Sequence, residues 1–200
     1  MTMKLTKLHK NNYKMSTWSG GETTEIYLFP IQGTYDIGKF DFRVSTANVQ
    51  LEKTVFTVLP GYKRLIMSLD QPLTLNHIHN QRREKVLLIP FESHYFLGKE
   101  QTESIGKCTD FNLIYKEELA GELKAYRHKE SLSISSNQKY IIFALKELII
   151  DFYQGVEKVK SCHLYNNDTI VLEKVAKRYQ LLLIGQERAE IPIAVVASVV

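Results

Sequence analysis

Short apolar or alternating runs recur along almost the whole chain, and this rhythm limits the fold more than any other feature. In the first half they cover residues 25–29, 42–49, 65–69, 73–77, 86–89 and 111–115. In the second half they cover 140–145, 148–152, 169–172, 181–184 and 191–199. Turn formers stand between them: Gly33, Gly38, Pro60-Gly61, Asp70-Gln71-Pro72 and Asn80. Runs of this length bounded by such residues read as strands, and many of them at short spacing read as a sandwich or barrel. One stretch, residues 116–126, has a composition that suits a helix, and its assignment stays open.

A faint echo links the two halves. Residues 64–69 and 73–75 compare with residues 140–145 and 148–150, each pair reading as an apolar hairpin closed by a few polar residues. The offset of 76 residues, from Arg64 to Tyr140, exceeds the roughly 20–50 residues of solenoid repeats, so it implies two similar sheets or barrels. No linker rich in proline, glycine or serine separates the halves, which points to a continuous packed interface.

Two hundred residues suit one large domain or two small ones, and a 44% hydrophobic fraction supplies a core. The formal charge of +4 is spread thinly. Its tightest cluster, Lys4, Lys7, Lys10 and Lys14 around His9, reads as a solvated basic arm. A nucleic-acid surface has a denser patch with a reading element, so no nucleic-acid partner is expected. Cys108 and Cys162 are too few for a disulfide framework and read as free thiols in a reducing compartment. The basic amino terminus lacks the apolar core of a secretion signal, and the longest apolar run, 191–200, contains Pro192 and is too short to span a bilayer. The expectation is a cytoplasmic chain without a membrane partner.

The chemistry-bearing motifs begin at Trp18-Ser19-Gly20-Gly21-Glu22-Thr23-Thr24-Glu25-Ile26. Locally this is a tight turn entering a strand, with Thr23 and Glu25 on one face and Thr24 and Ile26 on the other. Adjacent glycines also let a second chain or a ligand come close. Four further segments follow in order: residues 41–47 (Asp-Phe-Arg-Val-Ser-Thr-Ala), 56–64 (Phe-Thr-Val-Leu-Pro-Gly-Tyr-Lys-Arg), 90–98 and 110–113. Together, over about residues 15–115, these segments resemble the HutD/Ves family.

The resemblance implies an all-β, duplicated cupin-like barrel (a bicupin), with units at 1–115 and 116–200 packed as one compact body. It also implies an association with histidine utilisation. The function would be accessory or regulatory and not enzymatic: binding a small carboxylate metabolite, such as a urocanate- or formylglutamate-like acid. The match thins beyond residue 115, so a site belongs in the first unit.

The ligand-binding candidates are Thr24, Glu25, Arg43, Ser45, Arg64, Asp110 and Asn112. A half-buried arginine needs a carboxylate partner. For Arg43 this is either Glu25, in a pair bracing two strands, or a ligand carboxylate, with the Thr24 and Ser45 hydroxyls assisting. Arg64 follows the Pro60-Gly61 turn, so surface placement is open beside the ligand-clamping role, which weighs less here than for Arg43. Asp110 and Asn112 share a face and either close a turn or point into a pocket. Trp18 reads first as a packing plug over a barrel end and second as a stacking platform.

A different class of function rests on His77, His79 and Glu84, which have the ligand spacing of a metal-dependent cupin enzyme. The polar crowding of residues 76–84 favours an exposed turn instead. No nucleophile elbow or phosphate loop is present, and no cofactor is expected. The apolar 191–199 end reads as a core strand and not as an interaction patch. A homodimer through a sheet edge stays open.

Overall fold

The computed structural model describes residues 3–79, 82–186 and 188–200, with His79 described by its backbone alone. The first strands are β1 (Lys4–Leu8), β2 (Lys14–Trp18), β3 (Gly21–Phe29), β4 (Phe42–Val49), β5 (Lys53–Val55) and β6 (Tyr62–Ser68). They continue with β7 (Leu73–His79), β8 (Arg82–Leu88), β9 (Ser93–Leu97), β10 (Gln101–Ile105) and β11 (Cys108–Lys116). The rest are β12 (Gly121–Arg127), β13 (Ser131–Ile134), β14 (Lys139–Ala144), β15 (Leu148–Gln154), β16 (Glu157–Leu164), β17 (Thr169–Glu173), β18 (Tyr179–Gly185) and β19 (Pro192–Val199). A 3-10 turn at Lys10–Asn12 is the one helical element among the described residues. The predicted turn residue Asn80 lies outside them.

The chain forms two units, Tyr13–Leu123 on one side and Met1–Asn12 with Lys124–Val200 on the other. Strand β1 therefore belongs with the carboxy-terminal half, whereas a division at 115/116 keeps it with its sequence neighbours. In the first unit a six-stranded sheet, β2-β3-β4-β11-β6-β9, packs against a four-stranded sheet, β5-β10-β7-β8. Ile66, Phe96 and Cys108 of the larger sheet meet Leu73, Leu75 and Leu88 of the smaller. Gly61, at φ +82°, makes the turn that starts β6, a conformation few other residues take without strain.

The second unit pairs a five-stranded sheet, β1-β17-β14-β19-β12, with a four-stranded sheet, β13-β18-β15-β16. Its interior is apolar, built from residues such as Ile142, Ala144, Ile150, Phe152, Leu172 and Val196. Strand β19 is buried along its whole length, as its β-branched composition predicts.

The two units repeat one topology. Strands β4-β11-β6-β9 of the first correspond to β12-β19-β14-β17 of the second, and β5-β10-β7-β8 correspond to β13-β18-β15-β16. The fold is a duplicated cupin, and the sequence echo marks β6–β7 and β14–β15. These pairs are not hairpins, however. β6 bonds to β11 and β9 while β7 bonds to β10 and β8, and β14 and β15 are likewise in different sheets. The short polar link turns a corner between sheets. An apolar pattern records burial and does not say which strand is the partner.

Residues 116–126 hold the end of β11, a turn and then most of β12. Along β12, Glu122 and Lys124 are exposed while Leu123 and Ala125 are buried, a period of two that suits a strand. The basic arm is likewise not simply solvated. Lys4 bridges Glu173 at 2.9 Å, and Asp168 receives Lys7 at 3.0 Å and His9 at 2.8 Å. These pairs fix β1 along β17.

Candidate functional site

Antiparallel register gathers the polar candidates on one face of the six-stranded sheet. Arg43 on β4 and Arg64 on β6 both pair with Ile114 of β11. Asn112 pairs with Ser45 and Ile66, and Asp110 with Ala47 and Ser68. Residues opposite one another across a sheet share a face, so these side chains point together into the first unit. Arg43, Ser45, Ala47, Arg64, Asp110, Asn112 and Ile114 line a pocket of about 250 Å³ together with Ser16, Trp18, Thr23, Tyr35, Thr54, Phe56 and Thr57.

The two arginines are held differently. Arg43 Nε donates to Glu25 Oε2 at 2.8 Å, Arg43 Nη1 donates to Ser45 Oγ at 3.2 Å, and the guanidinium lies 4.1 Å from the Tyr35 ring centre. The bracing ion pair expected for Arg43 thus exists, while the same arginine also lines the pocket. Arg64, for which the sequence leaves surface placement open, is 5% exposed. β6 already starts at Tyr62, so Arg64 stands two residues inside the strand, on its inward face. Its Nη1 donates to the Thr57 carbonyl at 3.2 Å, and the Phe56 and Phe96 ring centres lie 4.7 and 5.3 Å from its guanidinium carbon. Its Nε is buried without a hydrogen-bond partner. Burial lowers the Arg64 pKa and Arg43 adds to this, opposed by Tyr35 and Asp110. A guanidinium starts so high that it stays a cation.

Asp110 and Asn112 close no turn; both stand within β11 and face the pocket. Asn112 Nδ2 donates to Asp110 Oδ1 at 2.6 Å, which leaves Asn112 Oδ1 buried and without a partner. Burial pushes the Asp110 carboxyl up to about 7, against the pull of Arg64, the Ala47 backbone and the Asn112 amide. Thr24 lies on the opposite face of β3, and Thr23 takes the place at the pocket. Glu25 serves the site through Arg43 and does not itself line it. Trp18 is 37% exposed and stands at the rim, its Nε1 donating to Thr23 Oγ1 at 3.2 Å. A Cβ on Gly20 would come within 1.9 Å of the indole, so that glycine makes room for the ring.

Tyr35, Phe56 and Thr57 complete the site without having been singled out by sequence. Phe56 and Thr57 open one of the family segments, which was their one signal. Tyr35 sits in a loop where no periodicity reports the inside.

His77 is not in an exposed turn. It is 3% exposed on β7, with Nδ1 2.9 Å from Thr102 Oγ1 and Nε2 2.9 Å from His94 Nε2. Burial lowers the His94 pKa, opposed by Glu84 and Glu100, which favours the neutral ring that a mutual imidazole hydrogen bond requires. Glu84 is exposed, and the side chain of His79 lies outside the described residues. Among the described residues no three His, Cys, Asp or Glu side chains gather closely enough to hold a metal, so the described residues do not fit a cupin metal centre.

The second unit carries no copy of this polar floor. Where Asn112 pairs with Ile66 in the first unit, Val196 pairs with Ile142 in the second. Where Asp110 pairs with Ser68, Ala194 pairs with Ala144. The buried pair His77–Thr102 corresponds to Phe152–Leu181. At these positions the second unit is apolar where the first keeps a polar cavity.

The same fold occurs in known structures. The chain is similar to PA5104 of Pseudomonas aeruginosa PAO1, a conserved protein of unknown function, at 23% identity and a TM-score of 0.76 over 98% of this chain and 97% of that one. It is similar to HutD from Pseudomonas fluorescens SBW25 at 20% identity and a TM-score of 0.73, covering 98% of each chain. Oxalate decarboxylase OxdC of Bacillus subtilis shares the fold at 7% identity, with a TM-score of 0.64 over 96% of this chain and 76% of that one. No curated protein matches the chain in sequence. The HutD family model matches residues 10–190, a span that takes in the polar cavity and runs from β2 to β18, and the chain belongs to the HutD family.

Proposed function

We propose that the first unit binds a small carboxylate-bearing metabolite and that the protein acts as a non-enzymatic accessory or regulatory member of the HutD type. One observation carries the reading: Arg64 is a buried cation whose Nε has no hydrogen-bond partner and whose guanidinium lines the cavity. A buried charge without full pairing is costly, and a ligand carboxylate against Arg64 relieves that cost through a charge-assisted hydrogen bond. Arg43 is already committed to Glu25, so it adds positive field and orientation more than a free valence. The cavity is smaller than the roughly 300–1,000 Å³ typical of drug-sized ligands, which limits the occupant to a small acid.

The histidine-utilisation association of the family suggests urocanate- or formylglutamate-like acids. On this reading the partner is a small cytoplasmic acid, neither nucleic acid nor membrane takes part, and no cofactor is needed. Isothermal titration of urocanate and N-formylglutamate against their uncharged amides tests it. The acids bind and the amides do not, and Arg64→Met weakens the acids by about 10- to 100-fold, the worth of a hydrogen bond to a charged group. An amide that binds as tightly as its acid contradicts the reading.

A further inference from the structure

Resting on that reading, we infer that the ligand must carry an N–H donor beside its carboxylate. Two side chains that line the cavity each keep a buried polar atom without a partner, and the two atoms are of opposite character: Arg64 Nε, a donor, and Asn112 Oδ1, an acceptor. Buried polar atoms in native proteins are almost always satisfied, so two such atoms on one cavity floor define what the occupant has to bring.

The polarity of the Asn112 amide is set by its neighbours. Asp110 Oδ1 accepts from Asn112 Nδ2, and the same carboxyl is hydrogen-bonded by the Ala47 backbone. A carboxylate is acceptor-only, so the amide nitrogen is turned towards it and the amide oxygen away from it. Arg64 and Asn112 stand diagonally on adjacent strands, since Arg64 pairs with Ile114 and Asn112 with Ile66. One small molecule reaches both, because diagonal neighbours on one face lie roughly 7–8 Å apart at Cα.

The requirement separates acids of equal charge. A dicarboxylate without an N–H, or an acid with an oxygen heterocycle, satisfies Arg64 but sets a lone pair against Asn112 Oδ1. An acid whose second polar group is a ring or amide N–H satisfies both atoms. A site built to pair a donor rejects an analogue that lacks one, because the buried partner is left unmet. The second unit shows the alternative solution, with Val196 in the place of Asn112 and no polar atom to satisfy.

The test is a matched pair of acids of the same length and charge: (E)-3-(pyrrol-2-yl)acrylate, with a ring N–H, and (E)-3-(furan-2-yl)acrylate, with a ring oxygen. Titrations are run at pH 8, above the Asp110 value of about 7, so that its carboxylate holds the amide in the described orientation. The pyrrole acid binds about 10- to 100-fold more tightly in the wild type. In Asn112→Val both acids still bind, and the preference falls to within about twofold, because the acceptor that the N–H satisfies is gone. Equal binding of the two acids by the wild type overturns the donor requirement while leaving carboxylate recognition standing. Binding of neither overturns carboxylate recognition and this inference with it. A preference that survives in Asn112→Val removes Asn112 from the selection. The wild-type ratio stands by itself whether or not the variant folds.

Discussion

Replacing Asp110 by asparagine should change the pH dependence of stability in one direction only. Asp110 is 2% exposed, and its carboxyl is pushed from the ordinary 3.8 up to about 7 by burial. Between those values the folded protein keeps a proton that the unfolded chain has already released. Stability from this group is therefore full below about pH 4 and is lost as pH rises towards 7. About three pH units at roughly 1.4 kcal/mol each give a total loss of about 4 kcal/mol. Asp110→Asn removes the titration but keeps the shape. Its stability relative to wild type should rise by about 2.5 kcal/mol between pH 5 and pH 8, the part of the window those two values enclose. Urea unfolding of both proteins at both pH values measures this as a double difference. Contributions that do not titrate, such as the altered contact to Asn112, cancel in it. A double difference near zero, or one of opposite sign, would refute the account of a buried carboxyl raised by desolvation.

Two other predictions follow from local geometry. Gly21→Ala should destabilise by about 3 kcal/mol or more in the same urea assay, since φ is +150° and the new Cβ would stand 1.9 Å from the Asn48 carbonyl oxygen, a backbone atom. In the native protein at pH 8, Cys162 should react with a disulfide reagent well before Cys108, whose buried thiol is pushed up to about 12. Equal rates, read by mass spectrometry of the labelled peptides, would contradict that burial.

Strands carrying a continuous apolar run were legible in the sequence, and short or largely polar ones such as β10, β12 and β13 were not. β4 matches the expected run at residues 42–49, and the Glu25–Arg43 pair follows from alternation across neighbouring strands. β16 is exposed over most of its length and β5 is short and largely exposed, so neither shows the apolar alternation by which a strand is recognised. β8 is also mostly exposed, and its charges made the adjoining His77 look like part of a turn. The sequence leaves the burial of Arg64 open for a related reason. Proximity to a turn permits the surface, yet β6 begins directly after Gly61, so that Arg64, its third residue, already faces the interior. The duplicated topology was audible as an echo in apolar residues. That only one unit keeps a polar floor depended on register, which single-sequence patterns do not carry.

A crystal structure of the chain with urocanate bound tests the central claim most directly. The account predicts the carboxylate within hydrogen-bond distance of Arg64 Nε and the ring N–H directed at Asn112 Oδ1. Density for the acid in the second unit, or against the His77–His94 pair with Arg64 Nε still unpartnered, would contradict it.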